Sequence, residues 1–415
     1  MVARTTHIHH PSRTSALRIG SLPLMLTAFF AIGVVAGTTV FLLSKNPTFV
    51  DDSAARGALL RKGFSGTESL RGIEETSTVS FSERWEPFDC DGLIHEVYQE
   101  EGSIKDPNEG QLYGRLTDKE FTRNPFWISV HNSAFDFRRF SVFEKGNYYE
   151  KQLTTIFQDI LEQSSPNSRV VDVGGNIGWF TLLSSSMGHH VDVFEPNAVN
   201  LLRLCQSLRL NGWEKASEAD ILSRRTKKST INVRKYGVSD AVKSLPLFYG
   251  NPGQGTFINT REFVPKNGAQ KLNKVDDLPL INLDTMAEEL NWYEMKSKIA
   301  ILKIDIEGSE ADAIKGGTKL LKSGLVENIL METSGRKNNT ENQLMLEQII
   351  KSGFVLKGVG TWSGPGNTPP DDMPTFDPAA QAKFLIDRFT PTNQKQMNLH
   401  WKWNGPTVGS LAALK

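Results

Sequence analysis

Residues 169–183 read RVVDVGGNIGWFTLL, and no other stretch limits the fold so strongly. The apolar residues around Asp172 make a short strand, Gly174 to Gly178 a glycine-rich turn, and Trp179 opens a helix. Glycines let a backbone approach a ligand closely, and the free amides at the start of the following helix attract negative groups. Asp172 falls at the C-terminal end of its strand, where open α/β sheets place their ligand crevice. A tight strand-to-helix connection without any ligand is the competing reading, and the rest of the chain has to decide between them.

HHVDVFEPN (189–197) supplies a second strand with Glu195 at its end, 23 residues after Asp172. That spacing suits one strand–helix–strand unit, and an acidic residue there can accept both hydroxyls of a nucleoside ribose. His189 and His190 read as a solvated turn ahead of the strand. NLLRLCQSLRLNG makes the next crossover helix, and STINVRKYGVSD a third strand running into Gly237 and Asp240. SLPLFYGNPGQGTFI resembles an inserted hairpin. The apolar run IAILKIDIEGSE ends in Asp305, Glu307 and Glu310, and a helix follows it. VENILMET is another buried strand, ending at Glu332, then come a helix and a final strand, FVLKGVG. Such alternation predicts an α/β fold with a doubly wound, mostly parallel sheet.

In their order and combination, DVGGNIGWFT (172–181), FEPN (194–197), LDT (283–285), LKIDIEGSE (302–310) and LMET (330–333) resemble the FkbM family of methyltransferases. The resemblance covers about residues 146–360. It implies a Rossmann-like O-methyltransferase that uses S-adenosylmethionine. Carried over by position, Asp172, Gly174, Asn176 and Gly178 hold the methionine part of that cofactor. Glu195 binds the ribose hydroxyls with Asn197 nearby, and Ser239 and Asp240 flank the adenine. Gly175 stands where the family more often has alanine, and is expected to be a benign change.

Methyl transfer from a sulfonium is an in-line displacement, so positioning supplies much of the rate. A hydroxyl nucleophile must also lose its proton, and a nearby carboxylate can take it. Asp305 is the expected orienting or basic group, Glu307 its partner, and Lys303 the residue that holds one of them in place. The alternative is a buried ion-pair cluster that merely closes the turn. No metal is expected from Cys/His spacing. Asp305, Glu307, Glu310 and Glu332 gathered around Mg²⁺ or Ca²⁺ would be the all-oxygen exception.

Residues 21–43, SLPLMLTAFFAIGVVAGTTVFLL, carry no charge, and as a helix would span about 34 Å, enough for a bilayer core. They are expected to be an uncleaved transmembrane anchor behind a 1–20 tail. A cleaved signal or an organelle-targeting segment is the alternative. Arg13 and Arg18 lie closer to the span than most basic residues on its other side, which tilts the expectation to a type II protein with a lumenal catalytic domain in the Golgi or ER. Residues 44–84 read as a stem, 85–149 as an N-terminal extension with a hairpin in 126–143, 150–360 as the catalytic domain, and 361–415 as a lid or tail. Trp362, Trp401 and Trp403 in that tail read as packing residues before sugar-stacking ones. Lys+Arg and Asp+Glu balance at 47 each, so no global field favours nucleic acid. The expected partners are a small-molecule or glycan acceptor and the membrane. Cys205 reads as a small buried hydrophobe, and two cysteines do not by themselves argue a disulfide. A nucleotide-dependent oxidoreductase fits less well, because the turn lacks the G-x-G-x-x-G spacing. A catalytically silent protein that keeps the fold is the remaining alternative.

Overall fold

The structure, a computed structural model, describes residues 88–94, 114–130, 150–166, 168–213, 229–249, 273–334, 339–361, 364–365, 368–375, 377–389 and 396–405. The expected anchor and stem and Trp362 lie outside these residues, as do the basic run RRTKK at 224–228, expected as a solvated loop, and Asn338 of the glycosylation acceptor pattern NNT. Among the described residues, no helix is long and apolar enough to cross a membrane.

The core is one eight-stranded sheet ordered β12-β11-β13-β10-β9-β3-β4-β5. The centre of its parallel part is β3 (Arg169–Val173), flanked by β9 (Ile299–Ile304) and β4 (His190–Phe194), both parallel to it. β5 (Ile231–Arg234) and β10 (Asn328–Ser334) extend the parallel part on either side. All six residues of β9 are buried, as a strand covered on both faces requires. Helix α1 (Lys151–Gln163) buries the face carrying Leu153, Ile156, Phe157 and Leu161, the 3.6-residue pattern visible in its sequence. Helices α2 (Trp179–Ser186) and α3 (Ala198–Asn211) follow β3 and β4, as right-handed crossovers demand.

The tail departs from expectation. Gln396–Trp403 is β13, inserted antiparallel between β10 and β11 (Phe354–Thr361), with the two-residue β12 (Gly364–Pro365) on the far edge. Met397, Leu399 and Trp401 alternate into the core with no exposed surface. This segment is therefore part of the sheet and not a lid. Its period-two pattern was present in the sequence, but a strand joining the sheet from the end of the chain pairs through non-local contacts.

A second, three-stranded sheet has the order β6-β8-β7. It joins β6 (Gly237–Val238) to β7 (Lys243–Tyr249) through β8 (Asn273–Ile281). The first strand of the expected hairpin is β7, which pairs with NKVDDLPLI; its turn and second strand, GNPGQGTFI, lie outside the described residues. In the N-terminal extension, β1 (Gly114–Leu116) and β2 (Trp127–Ser129) form a ribbon that lies on α3. Ser129 N donates to Ser207 Oγ and Trp127 N to Asn211 Oδ1. A disulfide joins Cys90, in the helical stretch 90–94, to Cys205 of α3. Cys205 is buried as expected, yet it is a crosslink and not a free thiol. Its partner is 115 residues away, beyond the reach of any local pattern.

His189 and His190 are not a solvated turn. His189 is buried beside Ser168 Oγ at 2.9 Å, and burial depresses its pKa. His190 Nδ1 lies 2.8 Å from Thr230 Oγ1. Both pin strand starts at the end of the sheet opposite the glycine turn.

Four further helices pack around β9 and β10. They are α4 (Leu283–Glu289), α5 (Trp292–Met295), α6 (Glu310–Lys315) and α7 (Thr318–Lys322). Helices α8 (Asn339–Lys351) and α9 (Pro378–Phe389) complete the fold. The LDT motif serves this packing. The Asp284 carboxylate accepts the amides of Lys319 at 2.9 Å and Leu320 at 2.7 Å, closing the first turn of α7 from outside. Asn282 caps α4 itself by accepting the amide of Thr285.

Candidate active site

The C-terminal edges of β3, β4, β9 and β10 meet at the glycine turn. Gly174 and Gly175 donate their amides to Phe194 O, and Asp305 donates its amide to Val173 O. The turn is therefore fixed between the two strands that flank β3. Gly174 has φ +82°, and a Cβ there would overlap the carbonyl oxygen of Asp305 and lie 2.9 Å from its carbon. Only glycine allows this approach. Gly175 is tight for a different reason. A Cβ there would run into Val193 Cγ2, so glycine is matched to Val193 and alanine would require that stiff side chain to move. The departure is thus benign only in the company of that valine.

Asp172 is fully buried and accepts a hydrogen bond from Thr181 Oγ1 at 2.6 Å through Oδ2. Its Oδ1 has no hydrogen-bond partner and faces the Lys303 ammonium at 3.6 Å. Glu195, also buried, accepts the amide of Asn176 at 2.7 Å and of Asn197 at 2.9 Å. Burial lifts its pKa to about 7 against the pull of those two amides. Asn176 adopts φ +52°, which turns its amide toward Glu195. Asp172, Gly174, Asn176, Gly178, Glu195 and Asn197 thus form one connected neighbourhood. Ser239 and Asp240, which follow β6, are held by contacts of their own. Ser239 donates its amide to Ile281 O, and Asp240 is held by Lys243 at 2.7 Å and Lys315 at 3.0 Å. Hydrogen bonds from those two lysines keep its carboxyl well below the usual range.

This neighbourhood fits S-adenosylmethionine. Glu195 sits where the ribose hydroxyls would be held. The close-packed turn would line the methionine part, with Asp172 behind it, its orphaned Oδ1 turned to Lys303. What the cofactor supplies when bound is an electrophilic methyl group on a sulfonium.

The chemistry of the opposite wall comes from β9 and β10. Lys303 is almost fully buried, with its ammonium 3.5 Å from Asp305 Oδ2, 3.3 Å from Gly174 O and 5.3 Å from the centre of the Phe180 ring. Burial works to deprotonate it, but Asp305 and Asp172 outweigh that and hold it protonated above the ordinary lysine range. Carboxyl oxygens of Glu150, Asp305 and Glu332 all lie within 4.8 Å of one another. Glu150 stands at the N-cap of α1, 155 positions before Asp305, and no sequence pattern pointed to it.

Glu307 and Glu310 divide differently from expectation. Glu310 is buried and turned back on its own loop, accepting the amides of Gly308 at 2.7 Å and Ile306 at 3.3 Å. Burial raises its pKa to about 7. It shapes the turn and does not enter the carboxyl cluster. Glu307, at the exposed tip of that turn, has φ +54°, a costly conformation for a glutamate. The place beside Asp305 expected for Glu307 is taken by Glu332 and Glu150.

Comparison with known proteins places residues 172–356 in register with the Methyltransferase FkbM domain. Methyltransferase sdnD of Sordaria araneosa is 28% identical over 209 residues, which are 45% of this chain and 73% of that protein. Among solved structures, a SAM-dependent methyltransferase from Agrobacterium tumefaciens aligns at 9% identity and TM-score 0.35, over 72% of this chain and 73% of its own. A TehB-like SAM-dependent methyltransferase from Corynebacterium glutamicum aligns at 8% and 0.31, over 66% and 97%. A chain from Streptococcus mutans, also described as SAM-dependent, aligns at 8% and 0.32, over 70% of this chain but only 55% of its own.

Proposed function

We propose that this chain, whose residues 172–356 match the Methyltransferase FkbM domain and which uses S-adenosylmethionine, methylates a hydroxyl group, with a sugar or glycan as acceptor. The observation that carries the hydroxyl is the carboxyl cluster of Asp305, Glu332 and Glu150 beside the glycine turn. A hydroxyl gains nucleophilicity only as its proton departs, and carboxylates within reach provide for that departure. Vicinal hydroxyls of a sugar also donate well to paired carboxylates. Asp305 orients the acceptor oxygen and receives its hydrogen bond, while Lys303 holds Asp305 in place. Phe180 and the buried surroundings keep water from that ammonium.

Residues 21–43 act in this reading as a single transmembrane anchor, with the catalytic domain on the lumenal side. The absence of charge across 23 residues supports the anchor. The Cys90–Cys205 disulfide supports an oxidising compartment, since such bonds are rare in the cytosol. A lumenal enzyme requires imported cofactor, and the balance of 47 basic and 47 acidic residues argues against nucleic acid as a partner.

The test is transfer of labelled methyl from S-adenosylmethionine to methyl glycosides and oligosaccharides, beside amine and thiol acceptors. Label recovered as methyl ether supports the reading. Label recovered only on nitrogen or sulfur contradicts it. Protease digestion of a C-terminally tagged chain in sealed membranes tests the topology: cleavage of the tag without detergent refutes a lumenal domain.

A further inference from the structure

We propose that Glu332 is the proton-holding group of the methyl-transfer site: with Asp305 and Glu150 it gives up a proton when S-adenosylmethionine binds, and the same group of carboxyls takes up the acceptor's proton during transfer. The second half rests on the hydroxyl reading above. The first half does not.

The geometry is a charge imbalance. Four carboxyls, Asp172, Asp305, Glu150 and Glu332, surround one ammonium, that of Lys303. The ammonium lies 3.6 Å from Asp172 and 3.5 Å from Asp305. Glu332, which is 8% exposed, is left to the other carboxyls. Like charges this close do not all ionise, so one site keeps a proton. Burial and the facing groups Asp305, Glu150, Glu307 and Glu310 raise the Glu332 pKa well above the carboxylate range, and Lys303 is the cation that partly offsets them.

A second observation ties this cluster to the cofactor. Asp172 Oδ1, wholly buried and without a hydrogen-bond partner, is aimed at Lys303 from behind the glycine turn. The carbonyl of Asp305 abuts Gly174 of the same turn. Arrival of a sulfonium brings a second positive charge to a site already short of them. The proton on the Glu332–Asp305 pair is then no longer needed to balance the carboxyls and is released. In the transfer step the acceptor oxygen's lone pair forms the O–CH₃ bond. The S–CH₃ bond breaks with its electrons staying on sulfur as a neutral thioether, and the O–H proton passes to the carboxyl pair. The site's total charge is the same before and after.

Calorimetry of S-adenosylmethionine binding to the full chain, repeated near neutral pH in buffers of different ionisation enthalpy, counts the protons exchanged. The expected result is release of about one more proton with S-adenosylmethionine than with the uncharged thioether S-adenosylhomocysteine, because Glu195, whose pKa is lifted to about 7, would meet the ribose of either ligand and contributes equally to both. Glu332→Gln should still bind both ligands but lose the difference between them, and Glu332→Asp should restore part of it. Glu150→Gln, a milder change at the N-cap of α1, should reduce the count if Glu332→Gln does not fold. Binding without proton release in the wild type, or equal release with both ligands, overturns the proposal and leaves the hydroxyl reading standing. Proton release with no methyl ether formed on any hydroxyl acceptor does the reverse.

Discussion

Replacing Gly174 with alanine tests whether the glycine turn and the Asp305 strand are locked together as the structure shows. Two costs combine there. The backbone sits at φ +82°, and a Cβ would collide with the carbonyl of Asp305, a backbone atom that cannot swing aside. The conformational part is on the order of 1 kcal/mol, and forcing an extra carbon into a packed contact adds about 1–3 kcal/mol. Two other glycines separate these terms. Gly188 has φ +91° with nothing within 4 Å, so Gly188→Ala carries the conformational cost alone. Gly175 has an ordinary φ but meets Val193, so Gly175→Ala carries only crowding, and Val193→Ala should relieve it. Urea denaturation should rank Gly174→Ala as the most destabilising by about 2–4 kcal/mol, with Gly188→Ala near 1. Calorimetry should show Gly174→Ala losing S-adenosylmethionine as the Asp305 loop is pushed away. Equal stability of Gly174→Ala and Gly188→Ala, with cofactor binding intact, would refute the close approach.

Exchanging Cys90 and Cys205 for serine removes a crosslink spanning 115 positions, and should lower stability by about 2–5 kcal/mol in denaturant; a change below measurement error would contradict its role. Asp284→Ala uncaps α7 and should cost about 1–2 kcal/mol by thermal unfolding while cofactor affinity stays unchanged. A loss of affinity without a loss of stability would put the LDT motif in the site after all. Burial raises the Glu310 pKa from 4.5 to about 7 on folding, so its contribution to stability is complete below the unfolded value and is lost as pH rises through about 7. Glu310→Gln should therefore gain on the wild type as pH climbs from about 5 to about 8, by something on the order of 1–3 kcal/mol; parallel stability curves would show that the group is not buried as described.

Much of the site was legible because it is written in local sequence. A strand, a glycine turn and a helix announce themselves within fifteen positions, and Glu195 follows at the spacing of one crossover. Asp305 and Lys303 were found for the same reason, at the end of a strand apolar enough to be central. What escaped is what folding brings from afar. Glu150 reaches the site from the start of α1. Glu332 was noticed only as one acid among several, since nothing in LMET tells which side of β10 faces Asp305. Glu307 was the expected partner of Asp305 in IDIEGSE, and only the turn's geometry sends it to solvent and Glu310 back onto its own amides. The LDT motif carried the resemblance without a role, and the structure gives it one in building a helix start. The last core strand was hidden by its position, since Met397, Leu399 and Trp401 alternate clearly but belong between two strands that precede them.

The central claim is that Glu195 and the glycine turn form an S-adenosylmethionine site, and its most direct test is the cofactor's affinity for the full chain, for Glu195→Ala and for Asp284→Ala. The account predicts binding by the wild type, binding weakened by about tenfold or more in Glu195→Ala, where charged hydrogen bonds to the ribose are lost, and unchanged binding in Asp284→Ala. A folded wild type that does not bind, or a Glu195→Ala variant that binds as tightly as the wild type, would contradict it.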